Sequence, residues 1–360
     1  MATDLLSAET QSAGCPTARR TTGLSQSSGV SVDAMAGQSQ AEFGSDDGAG
    51  QGSVVSTTKQ MRTSETRSAW IGTFADYLQL TKPRIVVMIL VTTCATAMIG
   101  ASGLVSAVSL MWLLIGTAAI AGSAGAGNQI WERVIDRRMT RTASRPIASG
   151  RLSPISAAVF AALLGVVGAT VLATNFGAVP AAIGVVTWLL YVLVYTPMKV
   201  RTSWNTTLGA VAGALPVLIG YTATNGGQVN EWTGWLLVGV LVAWQYPHFM
   251  SIAWMYRRQY KEAGFKMTTT EEPTGRSAGW QSIIGSGFLI AAGITLCWLP
   301  AGTIGAIVGS IAVLAAAWPM LLASIRFARC PDDTSARTLL RSSLLVLPAV
   351  LAVVTLRLFW

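Results

Sequence analysis

The sequence predicts an all-α fold: a polytopic helical membrane protein with about nine transmembrane helices. Three observations predict it. Of 360 residues, 52% are apolar and only 11% charged, where soluble domains carry about a quarter charged. The apolar residues fall into nine long segments. The basic residues gather in alternate connections between those segments.

The elements follow in order. Residues 1–74 contain no long apolar run, and "LSQSSGVSVDAMAGQSQAEFGSDDGAGQGS" offers little from which to build a core. This composition predicts a disordered Ser/Gly/Ala-rich tail on the cytoplasmic side. It lacks the basic start and short apolar core of a secretory signal. Asp4, Glu9, Asp33, Glu42, Asp46 and Asp47 are too acidic a set for a mitochondrial transit peptide.

Residues 75–360 form the membrane domain, with candidate spans near 85–102, 104–126, 154–173, 176–196, 205–223, 233–254, 281–299, 302–325 and 339–358. Each approaches the roughly 20 residues a helix needs to cross hydrocarbon. Their Gly and Ala content suits close helix packing. Strand-sized alternating segments are absent, so a β-barrel is not expected. The four cysteines have no Cys-x-x-Cys spacing, which speaks against a zinc site.

The even-numbered loops hold Arg133 to Arg151, then Lys199 and Arg201, then Arg257 to Arg276, then Arg326 to Arg341. The odd-numbered loops "ASG", "TNFGA", "TATNGGQVNEW" and "PAGT" have no basic residue. By the positive-inside rule the N-terminus and the even loops are cytoplasmic, and an odd span count places the C-terminus outside. Arg357, near that outer end, is an exception. The high net charge is thus mainly a topology signal, and no nucleic-acid partner is expected. A multi-pass protein of the cell (inner) membrane, in contact with the lipid bilayer, is.

Against this apolar background "NQIWERVIDRRMTRTASRP", residues 128–146, collects amides, two carboxylates and five arginines. Asn128, Glu132 and Asp136 stand at i, i+4 and i+8, which puts three oxygen-bearing side chains on one helical face. Mg²⁺ is suited by such a face, since it takes one or two carboxylates and completes its shell with water and phosphate. Arg141, Arg145 and Arg151 follow, and Pro146 and Gly150 predict that the helix ends there. Positive-inside selection alone would explain single arginines, but it leaves the Asn-x3-Glu-x3-Asp stripe without a reason. Ionisable groups at a membrane edge are candidate functional residues.

Three further stretches repeat the theme. "LTKPRI" places Lys82 and Arg84 around Pro83. "YTPMKVRTSWNTTLGAVAGALP" carries Lys199, Arg201 and Asn205. "WQYPHFMSIAWMYRRQYKEAGFKM" carries His248, Arg257 and Arg258. His248 is the chain's one histidine, which excludes a bis-histidine haem carrier. Gln245, Tyr246 and Pro247 beside it predict either a helix break or a polar pocket.

With these motifs and the late "ARTLLRSSLLVLP", the chain resembles the protohaem farnesyltransferase (haem O synthase) branch of the membrane-embedded aromatic prenyltransferases, over about residues 75–360. The resemblance implies nine helices around a central cavity open to the cytoplasm. It implies transfer of the farnesyl group of farnesyl diphosphate to the 2-vinyl group of protohaem IX (haem B), with addition of water, giving haem O. It implies Mg²⁺ as cofactor, held by Asn128, Glu132 and Asp136, which with Arg141 and Arg145 make up the catalytic set. Lys82, Arg84, Lys199, Arg201, Asn205, His248, Arg257 and Arg258 are then candidates for substrate binding, with His248 as an axial contact to haem iron or a proton-handling group. Haem A synthase or terminal oxidase assembly would be the downstream partners. The chain departs from the pattern at Gln259, where the family commonly has Asp. That puts the second metal position, Gln259 with Glu262, in doubt. Two rivals remain: a prenyltransferase acting on a quinone precursor such as 4-hydroxybenzoate, and a membrane transporter. Transport would place polar groups at mid-membrane rather than at one face.

Overall fold

A computed structural model describes residues 72–357. Of the expected tail, residues 1–71 lie outside the described residues, and 72–74 already belong to a helical segment, 72–80. The described residues are helical throughout, without a strand, and include nine helices long and apolar enough to cross a membrane. They are α1 (Pro83–Gly100), α2 (Ala107–Asp136), α3 (Pro154–Phe176), α4 (Ala178–Met198), α5 (Asn205–Thr224), α6 (Trp232–Met255), α7 (Arg276–Trp298), α8 (Thr303–Arg329) and α9 (Asp333–Leu356).

Their starts are chemically specified. Pro83 and Pro154 occupy first-turn positions, where a missing N–H costs nothing. Ser106, Ser153 and Asp332 accept hydrogen bonds from the backbone N–H three residues on, at 3.2, 3.0 and 2.6 Å. Lys82, just before α1, has φ 56°, a left-handed conformation that L-residues with a Cβ rarely adopt.

Helices adjacent in sequence pack on one another, and α9 returns to both α1 and α6, closing a ring. In lipid the hydrophobic effect gives little drive for helix association, so close packing carries it. Gly220 on α5 is one such contact, since a Cβ there would collide with the Thr93 carbonyl of α1. The outward faces stay apolar. On α3, Ile155, Val159, Leu163 and Val166 are exposed at helical spacing, as a bilayer-facing stripe requires.

Two details differ from the sequence expectation. Helix α2 extends ten residues beyond 126 and ends at Asp136, so the whole Asn-Glu-Asp stripe lies within one helix rather than at its frayed end. Helix α6 runs unbroken through Pro247. Membrane helices tolerate proline where neighbours pack against the freed backbone, and here a Cβ on Gly285 of α7 would come within 2.7 Å of the Ala243 carbonyl. The polar pocket beside Pro247 is present; the break is not.

Arg357, the topological exception, is 2% exposed. Its guanidinium donates to the Cys297, Ala301 and Gly302 carbonyls at 3.2, 2.9 and 2.9 Å, covering the turn between α7 and α8.

Candidate active site

A cavity of about 550 Å³ lies within the ring, walled by residues of α1, α2, α4, α5, α6 and α9. Helices α3, α7 and α8 supply none of its lining. Its apolar wall includes Met88, Ile120, Trp188, Ile219, Leu241 and Leu347, and its polar residues cluster where the basic loops meet.

The stripe on α2 forms the centre of that polar end. Asn128, Glu132 and Asp136 are all buried and all line the cavity. Gln129, on the neighbouring face, donates to the Gln79 and Leu80 carbonyls at 3.1 and 3.2 Å, tying the chain before α1 to α2. That brings Lys82 over the stripe, where its ammonium donates to Asn128 Oδ1. Asn128 Nδ2 donates in turn to Thr196 Oγ1 at 3.0 Å. Glu132 Oε1 accepts from Lys199 Nζ at 2.6 Å, and Arg145 Nη1 stands 3.5 Å from its other oxygen. Arg145 also pairs with Asp136 Oδ2 at 2.6 Å.

The cations are held by aromatic faces as well as by carboxylates. Arg141 lies 4.6 Å from the Tyr256 ring centroid and donates to the Tyr260 hydroxyl at 3.1 Å. Lys199 sits 4.7 Å from the Tyr195 centroid. A π-helical turn, Leu190–Tyr195, within α4 positions Tyr191 and Tyr195. Such turns cluster at functional sites because they redirect side chains off the regular spiral. The Tyr195 ring fits only because residue 209 is glycine: a Cβ there would lie 2.6 Å from its Cε2.

Lys82, Arg141, Arg145 and Lys199 thus face only Glu132 and Asp136, leaving the polar end with surplus positive charge. Burial, and then Arg145 nearby, push the Lys82 ammonium down to about 7. Burial acts the same way on Lys199, but the Glu132 carboxylate outweighs it and holds that ammonium above the usual lysine value. A polyanion entering here meets cations already gathered and poorly satisfied.

Fit to a divalent cation rests on the oxygens left over. Asp136 Oδ1 and Asn205 Oδ1 are buried without a hydrogen-bond partner. An orphaned carboxylate oxygen next to a second carboxylate and an amide suits a hard cation, whose remaining positions go to water and phosphate. The described residues hold no group of three or more His, Cys, Asp or Glu fit for a metal, so the donor set needs Asn128.

Not every sequence candidate arrives. Arg84 and Asn205 line the cavity, Arg84 from an exposed position. The Asn205 amide group donates to the Thr202 and Lys266 carbonyls at 2.6 and 2.7 Å, fastening two loops. His248 lines the cavity further along α6. Arg201 and Arg258 are exposed and Arg257 points away; none of the three lines the cavity. Helix α6 ends at Met255, and the chain restarts as a short helix, Arg257–Ala263. The reorientation stacks Arg257 on Trp254 at 4.3 Å and pairs it with Asp333 at 2.8 Å. Gln259 and Glu262 also lie off the cavity lining, Glu262 exposed and Gln259 with a buried, unpartnered Oε1. The sequence reading missed Tyr191, Tyr256 and Tyr260. The repeat Tyr191-x3-Tyr195-x3-Lys199 was a usable signal for the first of these.

A polyanion-binding, metal-compatible end joined to a long apolar cavity within a membrane bundle defines a membrane enzyme acting on a lipid phosphate. The UbiA prenyltransferase family profile matches residues 89–345, and the chain belongs to that family. Over 284 residues it is 57% identical to a protoheme IX farnesyltransferase of Rhodopirellula baltica, covering 78% of this chain and 99% of that protein. It is 38% identical to one of Solibacter usitatus, covering 76% and 96%. Among solved structures, a digeranylgeranylglyceryl phosphate synthase matches with TM-score 0.63 at 14% identity, over 79% of this chain and 98% of that one. A UbiA homologue of Archaeoglobus fulgidus bound to DMAPP and Mg²⁺ matches with TM-score 0.57 at 14% identity, over 75% and 98%. These two likenesses concern the fold. The chain is a membrane prenyltransferase.

Proposed function

We propose that this chain transfers the farnesyl group of farnesyl diphosphate to the 2-vinyl group of protohaem IX, with addition of water, giving haem O, at the inner face of the cell membrane. The observation that carries the reading is the 57% identity, over 99% of its length, to a protoheme IX farnesyltransferase. Haem O would then serve a terminal oxidase directly or after conversion to haem A.

The chain's own residues account for the steps. Lys82, Lys199, Arg141 and Arg145 bind the diphosphate. Arg supplies paired donors and Lys a compact charge. Because the site is partly shielded from water, each contact counts for more than it would in bulk. Asn128, Glu132 and Asp136 would hold Mg²⁺, which when bound neutralises charge on the leaving diphosphate. The C1–O bond of the allylic diphosphate breaks with its electron pair leaving on oxygen. The rings of Tyr191 and Tyr195 offer π-faces to the allylic cation, and the apolar wall keeps water from it. The vinyl π-electrons form the new C–C bond. The cation left beside the macrocycle takes a water, which loses a proton.

Membranes supplied with farnesyl diphosphate, Mg²⁺ and either protohaem or 4-hydroxybenzoate test this. Mass spectrometry should find haem O and no prenylated benzoate; the opposite product pattern overturns the reading.

A further inference from the structure

His248 lies in the cavity wall, well into α6, and the chemistry described so far does not use it. Its surroundings fix its protonation. Ser343 on α9 is fully buried, and its hydroxyl donates to the Leu340 carbonyl at 2.7 Å. That commits the one hydroxyl proton, so the 3.0 Å contact between Ser343 Oγ and His248 Nδ1 has the imidazole donating. A neutral imidazole that donates through Nδ1 carries a bare lone pair on Nε2, the tautomer of a metal-ligating histidine.

The ring is also held in plane. Trp244 stacks on it with centroids 4.8 Å apart and planes 20° apart, and Phe249 flanks it at 6.0 Å. Trp244 is itself pinned to α9, donating to the Ser343 carbonyl at 2.6 Å. No hydrogen-bond partner reaches Nε2 from any described residue. An oriented Lewis base facing an apolar cavity needs a Lewis acid from the ligand that enters.

We propose that His248 Nε2 is the axial ligand of the iron of the porphyrin acceptor, and that Ser343 is its positioning residue. The inference rests on the protohaem reading above and goes beyond it. The Nε2 lone pair enters an open axial site of the iron; no electron leaves the metal and no proton moves. Coordination anchors the acceptor through its centre, leaving the peripheral vinyl group free to meet the allylic carbon. It also gives the cavity a means of choosing a metalloporphyrin over a phenolic acid, which offers no Lewis acid.

The test uses the purified full chain in lipid nanodiscs, titrated with ferric protohaem and followed by absorption and resonance Raman spectroscopy. Wild type should show an imidazole-ligated haem. His248→Asn keeps a donor toward Ser343 but removes Nε2; it should lose that signature and weaken protohaem binding by about 10- to 100-fold, with ligation restored by added imidazole. Affinity for metal-free protoporphyrin IX and for farnesyl diphosphate should not change, which separates lost ligation from misfolding. Ser343→Ala should lower the Fe–N(His) stretching frequency of the ferrous complex. If His248→Asn keeps the wild-type spectrum and affinity, the axial assignment is wrong, whether turnover persists or falls, while haem O formation by wild type leaves the protohaem reading standing. If wild type binds no protohaem at all, that reading fails first.

Discussion

Lys82 carries opposing demands at one residue. Its left-handed backbone costs about 1–2 kcal/mol, and its ammonium is buried beside Arg145. Strain of this kind persists where the surroundings over-determine it, and it collects at functional sites. Lys82→Gly removes both burdens, so the thermal midpoint should hold or rise while farnesyl diphosphate affinity falls. A lower midpoint with unchanged affinity would make Lys82 a structural residue. Arg145 bridges both carboxylates. If it also meets the diphosphate, Arg145→Ala should weaken prenyl diphosphate binding by about 2–5 kcal/mol, read by calorimetry; an unchanged Kd would return it to topology. Asp136→Ala and Asn128→Ala should each lower turnover about 100- to 1000-fold without loss of membrane insertion. Full turnover by both removes the metal assignment. The stripe was legible in sequence because i, i+4, i+8 spacing survives in any α-helix. The Arg141 cradle was not, because Tyr260 lies 119 residues away and only the fold brings it near.

At the scale of the helices, the nine spans were legible to within a few residues at most ends, since hydrocarbon thickness sets their length. The main misses were α2, whose polar extension hides its helicity from a hydropathy reading, and the π-turn in α4, which has no propensity signature. Arg257 was misassigned because the restart after Met255 turns that short helix, and sequence spacing cannot register the change of axis. Two glycines separate packing from function. Gly209→Ala pushes on the Tyr195 ring, which carries Lys199, so kcat/KM should fall with little loss of stability. Gly220→Ala drives α5 into the α1 backbone, away from the basic cluster, and should cost about 1–3 kcal/mol of stability through overpacking. Its prenyl diphosphate Kd should stay at the wild-type value. The reverse pattern, a stable but inactive Gly220 variant, would show that the α1–α5 contact shapes the site itself.

For the whole molecule, charge and chemistry demand the same orientation. The cations of the site stand at the end where the basic loops gather, and the one arginine at the far end is spent on carbonyls of the α7–α8 turn. Arg357 therefore presents no free charge against the positive-inside rule. A diphosphate is a polyanion that hydrocarbon will not pass, so the polar mouth must open to the compartment that supplies it. Both arguments put that mouth in the cytoplasm. Ser144 and Asn230 are exposed at opposite ends of the bundle, in the loops after α2 and after α5. A membrane-impermeant maleimide applied to intact cells should label Asn230→Cys and leave Ser144→Cys unlabelled until the membrane is opened, each judged against the unsubstituted chain. The opposite labelling would place the cation cluster outside, where it would meet no cytoplasmic prenyl diphosphate, and the proposed reaction would lose its substrate before any question of mechanism arose.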